Sequence, residues 1–205
     1  MDMTMESCRD FADALASAAP TPGGGGAAAL AGALGVALGN MVCALTVGKK
    51  KYAAVEEEIL ALQEKGNLLR AQLLDQVEAD EKGFLPLAKA YSIPKEDPSR
   101  ARILEEATEA ACEVPMKIME LCGEAIDCIA EIAEKGSRMV LSDAGCGIIL
   151  CKAAMQAAAL NVLCNTKTMA DREKADRRNV QVHALLENYT AMADSVYGKI
   201  LSDLV

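Results

Sequence analysis

The chain contains no tryptophan, two phenylalanines and four tyrosines, so aromatic residues make up only 3% of a sequence that is 52% hydrophobic. Its apolar mass is therefore Ala, Leu, Ile, Val and Met, a composition that suits helices packed closely on one another. Alternating β-branched runs, the mark of strands, are missing as well. What remains is an all-α fold class, a bundle of about five to six long helices with a buried Ala/Gly-rich central helix. Histidine is represented by His183 alone, and none of the eight cysteines forms a C-x-x-C pair. A zinc site needs a denser ligand set, so no metal is expected. Cys8, Cys43, Cys112, Cys122, Cys128, Cys146, Cys151 and Cys164 sit mostly within helical patterns, as small apolar side chains of a reduced, cytoplasmic protein would. Basic residues are outnumbered, and the net charge of −9 excludes the broad basic face that nucleic acid requires. The acidic start, MDMTMESCRDFADAL, does not resemble a signal peptide.

At 205 residues the chain is expected to form one domain over positions 1–205. Helical patterns run from about Thr4 to Ala19, Gly25 to Gly48, Tyr52 to Tyr91, Ser99 to Lys135, Ser142 to Asn165, and Asp171 to Leu204. Pro20-Thr21-Pro22 ends the first, and Pro115 should bend or break the fourth. Ser142 reads as the N-cap of the fifth. A forty-residue helix is roughly 60 Å long, whereas a compact chain of this size has a radius of gyration of about 17 Å. The long helix must protrude, kink near Gly66 or Gly83, or lie along an interface, and a homodimer is the economical expectation.

The run PTPGGGGAAALAGALG admits three readings. Gly23, Gly25 and Ala28 satisfy G-x-G-x-x-[GA], but a dinucleotide loop needs a strand before it, and here a Pro-Thr-Pro break stands instead. Residues from Ala14 to Gly48 carry no charge and could span a membrane, yet much of that run is Gly and Ala, which partition weakly. Gly32, Gly35 and Gly39 instead form a small-residue face that lets other helices approach, so the helix reads as the buried centre of a bundle and no membrane is expected. The third reading is a helix mouth whose bare backbone N–H groups meet a ligand.

Polar residues also fall where the pattern calls for apolar ones. Ile59, Leu62, Gly66, Leu69, Leu73, Val77, Asp80, Phe84 and Leu87 recur at three- and four-residue spacing, which puts Asp80 on the apolar stripe. A carboxylate there loses hydration and is poised for proton transfer. The alternative is a buried Asp that pairs with a lysine or caps another helix. Asp143 and Lys152, near the start of the fifth helix, each have a structural alternative too: Asp143 as a partner of the helix dipole, Lys152 as a snorkelling side chain. His183 reads as a surface residue.

Taken together, Thr21-Pro22-Gly23-Gly24-Gly25-Gly26-Ala27-Ala28-Ala29, Leu45 to Tyr52 (LTVGKKKY), Ser142-Asp143-Ala144-Gly145 and Leu160-Asn161-Val162 resemble the formiminotetrahydrofolate cyclodeaminase / methenyltetrahydrofolate cyclohydrolase family, on its free-standing bacterial cyclohydrolase-like side. The sequence departs from that pattern at Gly26, where the family usually has serine, and at Ser137, where Gly-Asn often precedes the Ser-Asp segment. The resemblance implies an all-α homodimer acting on a tetrahydrofolate derivative, without metal, nucleic acid or membrane. It implies hydrolysis of 5,10-methenyltetrahydrofolate to 10-formyltetrahydrofolate, or alternatively ammonia release from formiminotetrahydrofolate. A non-catalytic folate-binding or scaffold protein is the bland alternative. Asp80 and Asp143 are then the catalytic candidates. Thr21, Pro22, Gly23, Gly24, Gly25, Lys49, Lys50, Lys51 and Asn161 are the substrate-binding ones, with the three lysines facing the anionic glutamate tail.

Overall fold

The computed structural model describes residues 3–205, and no strand occurs among them. Seven α-helices follow in order: α1 (Cys8–Leu15), α2 (Gly24–Ala44), α3 (Glu56–Tyr91), α4 (Arg100–Ala110), α5 (Glu113–Lys135), α6 (Leu141–Thr168) and α7 (Arg172–Leu204). The all-α expectation holds. Several boundaries move for local reasons. α1 is shorter than expected, opened by Ser7, whose Oγ accepts from the Asp10 N–H. α2 stops at Ala44, and Gly48 follows at φ 77°, a turn conformation that favours glycine. Residues Lys50–Val55 wind as a 3₁₀ turn before α3 begins at Glu56. The fourth pattern breaks at Ala111 and Cys112, so Pro115 sits in the first turn of α5, where its missing N–H costs nothing. α6 starts at Leu141, one residue before the expected cap, so Ser142 is a helical residue rather than an N-cap. Asp171 does cap α7, accepting from the Lys174 N–H.

α2 is the centre of the bundle, packed most extensively on α6 and α3 and also touching α5. Its glycines serve different neighbours. A β-carbon on Gly32 would press on Cys122 and Leu73, one on Gly39 on Ile129, and one on Gly35 would come within 2.7 Å of the Gly147 carbonyl. Gly147 faces the Gly35 carbonyl at the same distance, so α2 and α6 cross with backbones in contact. The stripe of α3 reaches the core as expected: Ile59, Leu62, Gly66, Leu69, Leu73, Val77 and Leu87 are buried. Ile118, Met119, Ile126 and Ile129 of α5 and Ile148 and Met155 of α6 complete it. The eight cysteines are all free thiols. Burial pushes Cys43 and Cys122 up to about 12, which leaves them protonated, unreactive core side chains at neutral pH.

Among the described residues, two helical stretches, α2 and the Arg138–Thr168 stretch that contains α6, are long and apolar enough to cross a membrane. Much of each is buried, and apolar residues remain exposed on both, Leu34 of α2 at 54% and Leu160 of α6 at 69%.

Candidate active site

The glycine run opens α2. Gly23 is the N-cap and, lacking a side chain, supplies no capping oxygen. Asp80 of α3 supplies it from outside: its Oδ2 accepts the Gly26 N–H at 2.8 Å. The carboxylate therefore does cap another helix, as the structural alternative held. Only one oxygen is used for this. Oδ1 lies over Gly25, where a β-carbon would come within 2.1 Å of it, and makes no hydrogen bond to any described residue. Burial raises the Asp80 pKa above the ordinary aspartate value, and the Gly26 N–H only partly opposes it. Gly26 in place of serine leaves the capping bond intact, because the donor is backbone. A β-carbon there would meet nothing closer than 3.7 Å.

Asp80 faces a cleft of about 260 Å³. Thr21, Gly23 and Gly24 line one side, and Phe84, Val114 and Pro115 form an apolar wall. Thr21 donates to Glu81 across a 3.3 Å hydrogen bond, and the Thr21–Pro22 peptide is cis. Pro22 is buried beneath the cleft, touching the space beside Gly26. The N–H groups of Gly24 and Gly25 have no partner among the described residues, so a helix mouth with free donors stands beside a half-buried carboxylate. Asn161 of α6 packs its amide 3.3 Å from where a Gly24 β-carbon would be, and donates to the Ala157 carbonyl. Of the expected residues, the structure thus brings together Thr21, Gly23, Gly24, Gly25, Asp80 and Asn161, with Pro22 below.

Asp143, Lys49, Lys50 and Lys51 are elsewhere. α2 is 21 residues long, so the lysines follow it about 31 Å from its mouth. Asp143 precedes Asn161 by 18 positions on α6, about 27 Å along that helix. The expectation of one site containing both carboxylates and the lysines is therefore not met within one protomer; helix length separates them. At this far end Lys49 Nζ lies 3.3 Å from Ser137 Oγ, and Lys51 sits 5.6 Å from the centre of the Tyr52 ring. The Tyr52 hydroxyl accepts from the Arg138 N–H at 3.0 Å. That bond, then Ser137, Lys51 and Lys49, pulls the Tyr52 pKa below the usual tyrosine value. Lys152, the other buried-face cation, pairs with Asp194 at 2.5 Å, and His183 is exposed.

Sequence reasoning missed Val114, Pro115, Cys164 and Asn165 as cleft residues and read Phe84 as core. Asn165 carried a usable signal, since it lies one turn beyond Asn161 on the same helix face.

A helical bundle whose central helix opens into a ligand-sized cleft, with one carboxylate hydrogen-bonded at the helix mouth, is the class of protein these features define. The sequence pattern of the formiminotransferase-cyclodeaminase family matches residues 7–184, and the chain belongs to that family. It is 41% identical over 201 residues to a methenyltetrahydrofolate cyclohydrolase of Methylorubrum extorquens, covering 96% of this chain and 97% of that protein. It is 29% identical over 198 residues to the formimidoyltransferase-cyclodeaminase of Mus musculus, 95% of this chain but 37% of that longer protein. The crystal structure of formiminotetrahydrofolate cyclodeaminase from Thermotoga maritima superimposes with a TM-score of 0.83 at 29% identity, covering 96% of this chain and 94% of that one.

Proposed function

We propose that this protein is a methenyltetrahydrofolate cyclohydrolase, hydrolysing 5,10-methenyltetrahydrofolate to 10-formyltetrahydrofolate in the cytoplasm. The observation that carries the reading is the free oxygen of Asp80, half-buried and raised in pKa at the mouth of α2. The methenyl carbon is an amidinium centre between N5 and N10. Water adds to it as Asp80 takes a proton, giving a neutral tetrahedral carbinolamine. The C–N5 bond then breaks as N5 gains a proton and the hydroxyl loses one, leaving the formyl group on N10. One proton is released overall. A positioned general base and acid of this kind contributes ~10²–10⁴-fold. The negative carboxylate also stabilises the cationic carbon, and the free N–H groups at the helix mouth suit oxygen that gains charge in the transition state. The acid–base work is assigned to protein side chains, with no metal.

The likeness to a cyclohydrolase over nearly the full length of both chains favours this reading. Cyclodeamination is the second reading, supported by the Thermotoga likeness. Both reactions pass through a tetrahedral carbon between N5 and N10. Loss of the methenyltetrahydrofolate absorbance, run beside ammonia release from formiminotetrahydrofolate, tests both. Neither signal above the buffer rate would leave a folate-binding or scaffold protein.

The same proposal includes a homodimer. The cleft holds a pterin-sized head, so the glutamate tail must leave it, yet the lysines stand at the other end of the protomer. The apolar outer side of α2 and α6 is a strip on the order of 30 × 20 Å, about 600 Å², within the ~600–1,000 Å² per partner of a standard interface. A two-fold axis passing near Leu34 and perpendicular to α2 would lay α2 antiparallel on its copy and exchange the two ends. Lys49, Lys50, Lys51 and Asp143 of the partner subunit would then approach the Asp80 cleft.

A further inference from the structure

Two amides in the cleft are fixed in a way the reaction itself does not require. Asn161 Nδ2 donates to the Ala157 carbonyl at 2.9 Å, and Asn165 Nδ2 donates to the Ala111 carbonyl at 3.1 Å. Both side chains line the cleft, and neither Oδ1 accepts a hydrogen bond from a described residue. One N–H of each amide is held by a backbone carbonyl, which fixes the orientation of the group and leaves both Oδ1 atoms as unused acceptors. They are one helical turn apart, which places their β-carbons about 5–6 Å from each other. The order along α6 is also defined. Asn161 packs on Gly24, next to the helix mouth that Asp80 caps, while Asn165 lies a turn further away, against the break between α4 and α5. Phe84, Val114 and Pro115 supply a flat apolar wall beside the pair.

Resting on the function proposed above, we infer that Asn165 and Asn161 are specificity-determining residues that read the N–H edge of the reduced pterin. That edge carries N8–H and the 2-amino group on either side of N1, a donor pair at a spacing comparable to that of side chains one helical turn apart. N8 lies nearer the reacting N5, so Asn161 takes N8–H and Asn165 takes the far 2-amino group. The pterin ring lies along the apolar wall, which directs the N5–C–N10 end towards Asp80. Ligands that lack these two donors leave the carbonyl oxygens unpaired and are rejected.

The test compares 5,10-methenyltetrahydrofolate with its 2-desamino analogue on the wild-type protein and on Asn165→Leu, with Asn161→Ser as a second variant. Wild type should prefer the parent by roughly tenfold or more in kcat/KM, as a site built to bond an N–H rejects an analogue without it. In Asn165→Leu the preference should collapse, chiefly through a higher KM for the parent, while Asn161→Ser, whose amide reads N8–H, should retain it. Equal discrimination by wild type and Asn165→Leu overturns the inference, because a merely structural Asn165 cannot change a ratio between two ligands. Should Asn165→Leu not fold, wild type handling the two compounds equally refutes the same claim. Absence of any turnover or binding of the parent by wild type sinks the cyclohydrolase reading instead, so the two failures are distinguishable.

Discussion

Gly25 and Gly26 are neighbours in one helical turn, yet adding a methyl group to each should have opposite consequences. A β-carbon at position 25 lands 2.1 Å from Asp80 Oδ1, where ordinary contact begins near 3.4 Å, so the carboxylate must retreat by about 1.3 Å. The backbone of α2 is pinned by its contacts with α3 and α6, whereas the Asp80 side chain can swing, so the side chain gives way. The swing breaks the bond to the Gly26 N–H. A hydrogen bond to a charged group is worth ~1.5–3 kcal/mol, against up to ~1 kcal/mol gained from Ala over Gly in a helix. The net loss is about 1–2 kcal/mol, a few degrees of Tm in a chain of this length. Catalysis suffers more, because misplacing a reacting group by ~1 Å can cost about 10²-fold. At position 26 the new methyl finds its nearest neighbours at 3.7–3.8 Å and leaves the N–H where it is.

Gly25→Ala should therefore melt only slightly below wild type while losing on the order of 10²-fold in kcat. Gly26→Ala should keep its activity and melt at or above the wild-type temperature. Methenyltetrahydrofolate absorbance decay and a circular-dichroism melt measure both quantities on the same samples. Full activity in Gly25→Ala would show that the position of Asp80 is immaterial to turnover. Equal damage from Gly26→Ala would mean the glycines serve something other than the Asp80 contact.

Four further tests bear on the same geometry. Asp80→Asn should lose ~10²–10⁴ in kcat yet stay folded. Because the folded pKa of Asp80 is raised, the native state holds its proton more tightly than the unfolded chain, so this residue lowers stability as pH rises from the ordinary aspartate range through that raised value. Asn removes that dependence, so the difference in Tm between variant and wild type should shift in the variant's favour at neutral pH. In wild type, turnover should fall as pH drops through a value above the ordinary aspartate pKa of ~4, and a limb at or below it would contradict the assignment. Lys49→Ala/Lys50→Ala/Lys51→Ala and Asp80→Asn, each inactive or weak alone, should recover part of the activity when mixed and allowed to exchange subunits; no recovery, with exchange demonstrated, would argue against a site shared across a dimer. Gly35→Ala drives a methyl group to 2.7 Å from the Gly147 carbonyl and 2.6 Å from Cys151 Sγ, and should destabilise by ~1–3 kcal/mol or more in a thermal or urea melt.

Periodicity made Asp80 legible because one charged residue stood in a run of buried apolar ones, and the fold kept that geometry. The central placement of α2 was legible for the same kind of reason, since a helix without charge and rich in glycine has to be buried or covered. Phe84 escaped notice because an aromatic residue on an apolar stripe looks like core until the neighbouring helix stops short of it. Here α4 ends at Ala110, and the break before α5 leaves the cleft that Phe84 lines. Pro115 is a helix breaker by residue type, yet the break falls three residues earlier and Pro115 lies in the first turn of the next helix. The distance between the glycine mouth and the lysines was available from arithmetic alone, at about 1.5 Å per residue. Grouping the motifs into one site by resemblance passed over it.

The glycines of α2 connect that separation to assembly. Gly35 against Gly147 lets α2 and α6 touch backbone to backbone, so that the two helices run side by side and each keeps an outer side exposed. The inner half of each is consumed by the core. The outer half, with Leu34, Ile149 and Leu160 exposed, has no charged residue on α2 and only Lys152, paired with Asp194, along the middle of α6. An apolar strip of this size on an otherwise acidic protein calls for a cover. The second copy proposed above is a cover that would also account for the separation within the site. In that proposed dimer, a two-fold exchange of the ends of α2 would bring a cationic cluster towards each carboxylate cleft. Monomeric protein at micromolar concentration, active at the same specific rate on dilution, would break this link between the packing of α2 and the chemistry at its mouth.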